Sequence, residues 1–313
     1  MSTSTPSSPA QPAPPSASLQ RRSGSPLVLG AAAVTVLLWA SAFIGIRGAG
    51  EHFDPGAMAL LRMATGSVVL TLIALRSGIR LPARKHWPLI AAWGVGWFCV
   101  YNLALNSAER TLDAGTAAMV VNLAPLLVVV FSGFFLREGF PKPLLVGAPL
   151  AFLGVILIGL NPRSASGADT MGLLLALLAA LFYAACTLVQ KRLLSAGTDS
   201  TTLTWMGALV GTVALLPWAG RLIGDLQAAP AGATAWVIYL GVFPTAIAFT
   251  TWAYVLQRST AGQTAATTYI VPALAILMSW LVLGEVPTLL MLVGGALCLI
   301  GVLITRLRTR PRS

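Results

Sequence analysis

From residue 27 onward the chain is a series of apolar runs about 20 residues long, separated by short polar stretches. The runs cover 27–46, 56–75, 88–107, 114–136, 143–160, 171–190, 201–219, 234–255, 261–283 and 287–305. An α-helix of about 20 residues crosses the hydrocarbon layer of a bilayer. Every backbone amide in lipid must find its partner inside the protein, so runs of this length are helices. The pattern predicts an all-α integral membrane protein with ten transmembrane helices. Residues 1–26 are rich in Ser, Pro, Ala and Gln and have no apolar period, which predicts a disordered tail.

Composition supports the same class. Hydrophobic residues make up 57% of the 313 and charged residues only 9%, where a soluble domain carries about 25%. Too little charge is present to cover a surface facing water. The net charge of +11 does not gather into one basic face, which argues against a nucleic-acid partner. The basic residues sit between the apolar runs and mark topology instead. With ten crossings and the N-terminus inside, 15 Lys and Arg fall on the inner side, including Arg306 and, in the basic tail at 307–313, Arg308, Arg310 and Arg312. Only Arg47, Arg110, Arg163 and Arg221 fall outside, and Arg62 alone lies within a run. The expected location is the plasma (inner) membrane, with both termini cytoplasmic. Cys99, Cys186 and Cys298 all lie in apolar runs, at spacings that suit neither disulfides nor a metal. No metal or cofactor is expected.

An internal repeat is legible at a shift of 147 residues, without gaps from Gly94 to Val155. Ala114-Gly115 falls on Ala261-Gly262, Pro125 on Pro272, Glu138 on Glu285, and Gly154-Val155 on Gly301-Val302. The reading is a five-helix unit at 27–160, an outer linker at 161–170 and a second unit at 171–306. Five is odd, so the second copy enters the membrane inverted. An inverted pair supplies two conformations of similar energy, one open to each side, as alternating access requires.

The stretch from Trp39 to Arg47 (Trp-Ala-Ser-Ala-Phe-Ile-Gly-Ile-Arg) is followed by Pro55, Arg62 and an Ala-Gly…Pro…Glu pattern in each half. In these residues the sequence resembles the EamA family of the drug/metabolite transporter superfamily. The resemblance covers nearly everything after residue 27. It implies a ten-helix carrier with a central cavity between its halves, moving amino acids, other metabolites or drugs.

Candidate site residues follow from polar and helix-breaking positions in the runs. Pro125 and Pro272 each remove an amide donor mid-helix, freeing the carbonyls of Val121 and Thr268. Asn122 and Tyr269 stand three residues ahead of them. Helices interrupted at matching places in two repeats point to a transport site or hinge, against the plainer reading of a local kink. Helix 3 carries Trp93, Trp97 and Tyr101 on one face, with Asn102 and Asn106 beside it. This is either a wall for an amphipathic solute or an interfacial aromatic belt with interhelical hydrogen bonds. Tyr183 and Trp39 extend the candidate wall, as does the polar run containing Thr268. Arg62 is a candidate for a substrate carboxylate or a structural anchor. Glu138 and Glu285 each precede a Pro-initiated helix and read as caps. Glu109 and Asp113 are placed in an outer loop, so proton coupling has no evident carrier. Small-residue stripes on the fifth and tenth runs predict close packing, within the chain or in a homodimer.

The leading expectation is a secondary carrier exporting amino acids or related small metabolites. The alternative is a drug exporter on the same scaffold, and the lack of a deep acidic residue leans away from cationic drugs. A membrane enzyme would need clustered His, Cys, Asp or Glu at one depth, and a receptor would not need the duplication.

Overall fold

The structure is a computed structural model of the 313-residue chain, and it describes residues 25–135, 167–259 and 261–305 with a few isolated positions between 146 and 157. The tail at 1–24, the Glu138 cap, most of the fifth run and the basic C-terminal tail lie outside the described residues. All regular structure among those described is helical.

The helices are α1 (Pro26–Ala49), α2 (Pro55–Ser77), α3 (Arg84–Ala108), α4 (Ala114–Val121), α5 (Ala124–Phe135) and α6 (Gly167–Ser195). They continue as α7 (Ser200–Ala214), α8 (Ala219–Ala228), α9 (Ala231–Arg258), α10 (Ala261–Thr267), α11 (Val271–Leu283) and α12 (Leu289–Thr305). Five of them are long and apolar enough to cross a bilayer: α1, α2, α3, α9 and the Thr170–Ser195 part of α6. A sixth span arises if α7 and α8, bent by 46° at the break between them, count as one. Local chemistry sets several starts. Ser25, Asp54, Asp113 and Asp199 each accept a backbone N–H from the first turn of the following helix, satisfying amides that have no partner in the helix. Pro at the first turn of α1 and α2 needs no such partner.

The repeat is visible in the backbone. α3 widens into a π-helical turn at Val95–Val100, and α9 does so at Gly241–Ile247. The two turns lie 147 residues apart to within a residue. α4 gives way to α5 through a break at Asn122–Leu123, and α10 to α11 through a tight turn at Thr268–Ile270, again in register. Each break sits just ahead of its proline, as the loss of an amide donor requires. The aromatic and glycine-rich stretches adapt to these turns. A Cβ on Gly94 would stand 2.8 Å from the Gly207 carbonyl, and one on Gly241 2.6 Å from the Arg62 carbonyl. α3 therefore meets α7, and α9 meets α2, backbone against backbone.

Each half packs mainly on the other. α1 lies on α9 and α11, α2 on α7 and α9, and α3 on α6 and α7. The start of α6 lies at the α3–α4 junction, where Gly172 meets Thr111 and Leu112. Its end lies at the C-terminus of α9, where Lys191 Nζ donates to the carbonyls of Leu256 (2.8 Å) and Ser259 (2.6 Å). α1 begins at that same end, with Val28 packed on Val255, so α6 runs opposite to α1. The outside of the bundle carries exposed Leu27, Leu72, Leu75, Val213, Leu281 and Leu289, the apolar exterior that lipid requires.

Candidate functional site

A cavity lies where the halves meet. It is lined by Trp39, Ala42 and Phe43 of α1, Arg62 of α2, Trp97, Tyr101 and Leu105 of α3, and Val121, Asn122 and Pro125 around the first helix break. Tyr183 of α6, Phe249 of α9, and Thr268 and Val271 at the second break complete it. The space between these residues is about 510 Å³, counting the part continuous with solvent. Both helix breaks thus reach one cavity, which explains why irregular backbone is tolerated at this depth.

The wall is largely aromatic. Trp39 packs at centroid distances of 5.9, 5.4 and 4.9 Å on Tyr183, Phe249 and Trp252. Trp97 meets Tyr183 at 5.5 Å and Phe249 at 5.3 Å, edge to face in the latter pair. The Trp252 ring N–H donates to the Gln190 side-chain Oε1 at 3.0 Å. Aromatic rings anchored in this way form a preorganised apolar surface.

Two polar groups stand out against it. Arg62 is 3% exposed, and its Nε donates to Thr245 Oγ1 at 2.9 Å. Its Nη1 is buried without a hydrogen-bond partner among the described residues. Asn122 closes α4, and its Nδ2 donates to the Ala118 carbonyl at 3.1 Å. Its Oδ1 is buried and likewise has no partner there. One cavity therefore holds an unused cationic donor and an unused acceptor, an arrangement that costs stability unless something fills it.

Of the residues expected from sequence, Trp39, Arg62, Trp97, Tyr101, Asn122, Pro125, Tyr183 and Thr268 line the cavity. Asn102, Tyr269 and Pro272 do not. Asn102 turns back onto its own helix, where Nδ2 donates to the carbonyls of Trp97 (3.0 Å) and Phe98 (3.2 Å). Those carbonyls belong to the π-helical turn, so the amide supports the helix rather than facing the cavity. Tyr269 is buried within the second break. Trp93 is 1% exposed and packs on Trp97, Phe98 and the Gly207 backbone, so it belongs to the interior and not to an interfacial belt. Arg62 does not snorkel; it points at Thr245.

Sequence reasoning missed Phe43, Phe249 and Leu105, which have no polar or periodic signal beyond their neighbours. Glu109 stands in the turn that closes α3, as the sequence suggested, but it is only 2% exposed. Around it α1, α3, α4 and α11 are tied together. Arg47 Nε pairs with Glu285 Oε1 at 2.9 Å, and Arg47 Nη1 donates to the Glu109 carbonyl at 2.9 Å. Glu285 Oε2 accepts from the Ala114 amide at 3.3 Å and from Ser279 Oγ. Glu285 thus pairs with Arg47 and caps α4 rather than the helix that follows it, where the Met291 amide donates to Thr288 Oγ1 at 3.3 Å. The Arg47 contact with Glu109 has a counterpart at the opposite end, because Leu256, which binds Lys191, stands 147 residues after Glu109.

A sequence profile described as "EamA-like transporter family" matches residues 27–160 and 170–307. The chain is 35% identical over 278 residues to an uncharacterized transporter, YdfC, of Bacillus subtilis, covering 88% of this chain and 90% of that one. It is 33% identical over 279 residues to a probable terminal-alkyne amino-acid exporter of Streptantibioticus cattleyicolor, covering 89% and 93%. It is 26% identical over 249 residues to the aromatic amino acid exporter YddG of Ancylobacter novellus, covering 78% and 84%. A crystal structure with 21% sequence identity superposes with a TM-score of 0.66 over 90% of this chain and 96% of that one, which establishes a shared fold.

Proposed function

The chain belongs to the EamA-like transporter family, and from that premise we propose that it is a secondary carrier exporting amino acids with apolar or aromatic side chains. It works by alternating access between two inverted five-helix repeats, 27–160 and 171–306, that cross the membrane ten times. Its place is the plasma membrane, with both termini in the cytoplasm, as the bias in Lys and Arg supports.

The observation that carries the reading is the pair of unused polar groups in the aromatic cavity. An α-amino acid presents a carboxylate, which needs a donor, and an ammonium, which needs an acceptor. Arg62 Nη1 is such a donor and Asn122 Oδ1 such an acceptor. Trp39, Trp97, Tyr183 and Phe249 offer the surface for an apolar side chain. Two relatives with amino-acid exporter names agree with it. The Arg62 guanidinium also disfavours cationic drugs, the usual cargo of the alternative reading.

Counterflow of radiolabelled L-phenylalanine, L-leucine and L-threonine in proteoliposomes tests it, with phenethylamine as the analogue lacking a carboxylate. A hydrogen bond to a charged group contributes about 1.5–3 kcal/mol, so Arg62→Gln should raise KM for the amino acids roughly 10- to 150-fold. Phenethylamine transport should not fall, and should rise if the Arg62 charge repels the amine. Absence of amino-acid counterflow in the wild type, or an equal loss for the amine, would sink the reading.

A further inference from the structure

Three carboxyls, those of Glu109, Asp113 and Glu285, gather with the Arg47 guanidinium at the end of the bundle where α1 and α3 end and α4 begins. Two of the acids have donors. Glu285 holds Arg47, the Ala114 amide and Ser279. Asp113 accepts from Thr116 N at 2.8 Å and Thr116 Oγ1 at 2.7 Å as the cap of α4. Glu109 is different: both of its carboxyl oxygens are buried without a hydrogen-bond partner among the described residues. Arg47 reaches only its backbone carbonyl.

The lack of donors gives this exception a meaning. A buried carboxylate without donors is far costlier than a neutral carboxylic acid. Glu109 lies just past the α3 span, and it stands one turn beyond Leu105 and two beyond Tyr101 on the cavity side of that helix. The groups facing it among the described residues are Arg47 from α1, Arg62 from α2, Asp113 before α4 and Glu285 after α11. Tyr101 on its own helix completes the set.

We propose that Glu109 is a proton-binding site that controls opening of this end: it is protonated while the Arg47–Glu285 end is closed, and it releases the proton when that end opens to water. The inference rests on the carrier reading for its purpose, but the site itself stands on the geometry alone. The step balances as one carboxylate taking one proton from the adjoining solution on closing and returning it on opening.

Burial pushes the Glu109 carboxyl well above the usual carboxylate range, with Arg47 pulling against it and Glu285 adding to it. Opening restores contact with water and an ordinary value of about 4.3. Between those two values the closed state binds more protons than the open one. Acid therefore favours closure, and closure is lost as pH rises, by about tenfold in the closed-to-open ratio per pH unit inside that window.

The test needs no substrate. Infrared difference spectra of the wild-type protein in nanodiscs, titrated with pH, should show a carboxylic-acid carbonyl band persisting above the ordinary carboxylate range. Nitroxides on the exposed positions Glu51 and Val286 report the width of this end by electron–electron double resonance. The open fraction should rise with pH in the wild type. In Glu109→Gln the band should vanish and the end should stay closed at every pH. A wild type without that band overturns the proposal even if the variant cannot be folded, and so does a Glu109→Gln protein with unchanged pH dependence. Neither result touches the amino-acid counterflow that tests the carrier reading.

Discussion

The hydrogen bond from Arg62 to Thr245 can be separated from the packing around it by two substitutions at one position. Thr245 is fully buried in the π-helical turn of α9. Its methyl fills the space beside Gly66, where an added Cβ would stand 2.8 Å from Thr245 Cγ2. Its hydroxyl accepts from Arg62 Nε at 2.9 Å. Thr245→Val keeps both branches of the side chain and removes the acceptor. Arg62 Nη1 already has no partner among the described residues, so the guanidinium would lose one of its few compensations for burial. Loss of a hydrogen bond to a charged group, with the donor left buried, costs about 1.5–3 kcal/mol. Thr245→Ser keeps the hydroxyl and deletes one methyl, costing about 1 kcal/mol. Equilibrium unfolding in mixed detergent micelles should therefore rank the proteins wild type, Ser, Val in falling stability. Amino-acid counterflow should weaken in Val and persist in Ser, because Arg62 is aimed by this bond. If Val is as stable as the wild type, or more stable than Ser, the bond does not position Arg62.

Two further outcomes test the framework around the cavity. Gly207→Ala should destabilise the protein by about 1–3 kcal/mol, since its Cβ would fall 2.1 Å from Trp93 Cζ3 in a fully packed region; Gly224→Ala, with nothing within 4 Å, is the neutral control in the same unfolding assay. Asn102→Ala should cost about 1–3 kcal/mol by stranding carbonyls in the π-helical turn while leaving KM for amino acids nearly unchanged. An Asn102→Ala protein of normal stability with a raised KM would put the amide in the transport site after all.

Much of this architecture is legible in the sequence because the bilayer leaves few alternatives. Long apolar runs must be helices, and a proline must interrupt them, so Pro125 and Pro272 announced two breaks that the structure brings to a single cavity. The duplication added what periodicity cannot: it singled out Asn122 among many polar residues, because its partner position also precedes a proline. The same logic overreached at Tyr269 and Pro272, which occupy the matching positions yet do not line the cavity. Sequence equivalence fixes depth and register in a repeat, but the facing direction depends on how the local turn winds. The first break is a turn closed by the Leu123 amide on the Val120 carbonyl at 3.1 Å and the second a tight turn over Thr268–Ile270, and from the second it is Thr268 rather than Tyr269 that lines the space. Glu109 was obscured for a different reason. In the chain it sits among Ser107, Arg110 and Asp113, a polar stretch like any loop. Its burial is imposed from outside, by Arg47 arriving from α1, Glu285 from beyond α11 and Ala114 from α4. No local pattern encodes that convergence. A charge that looks solvated in sequence is enclosed by the helix ends that close the bundle, and there its protonation becomes tied to whether that end is open.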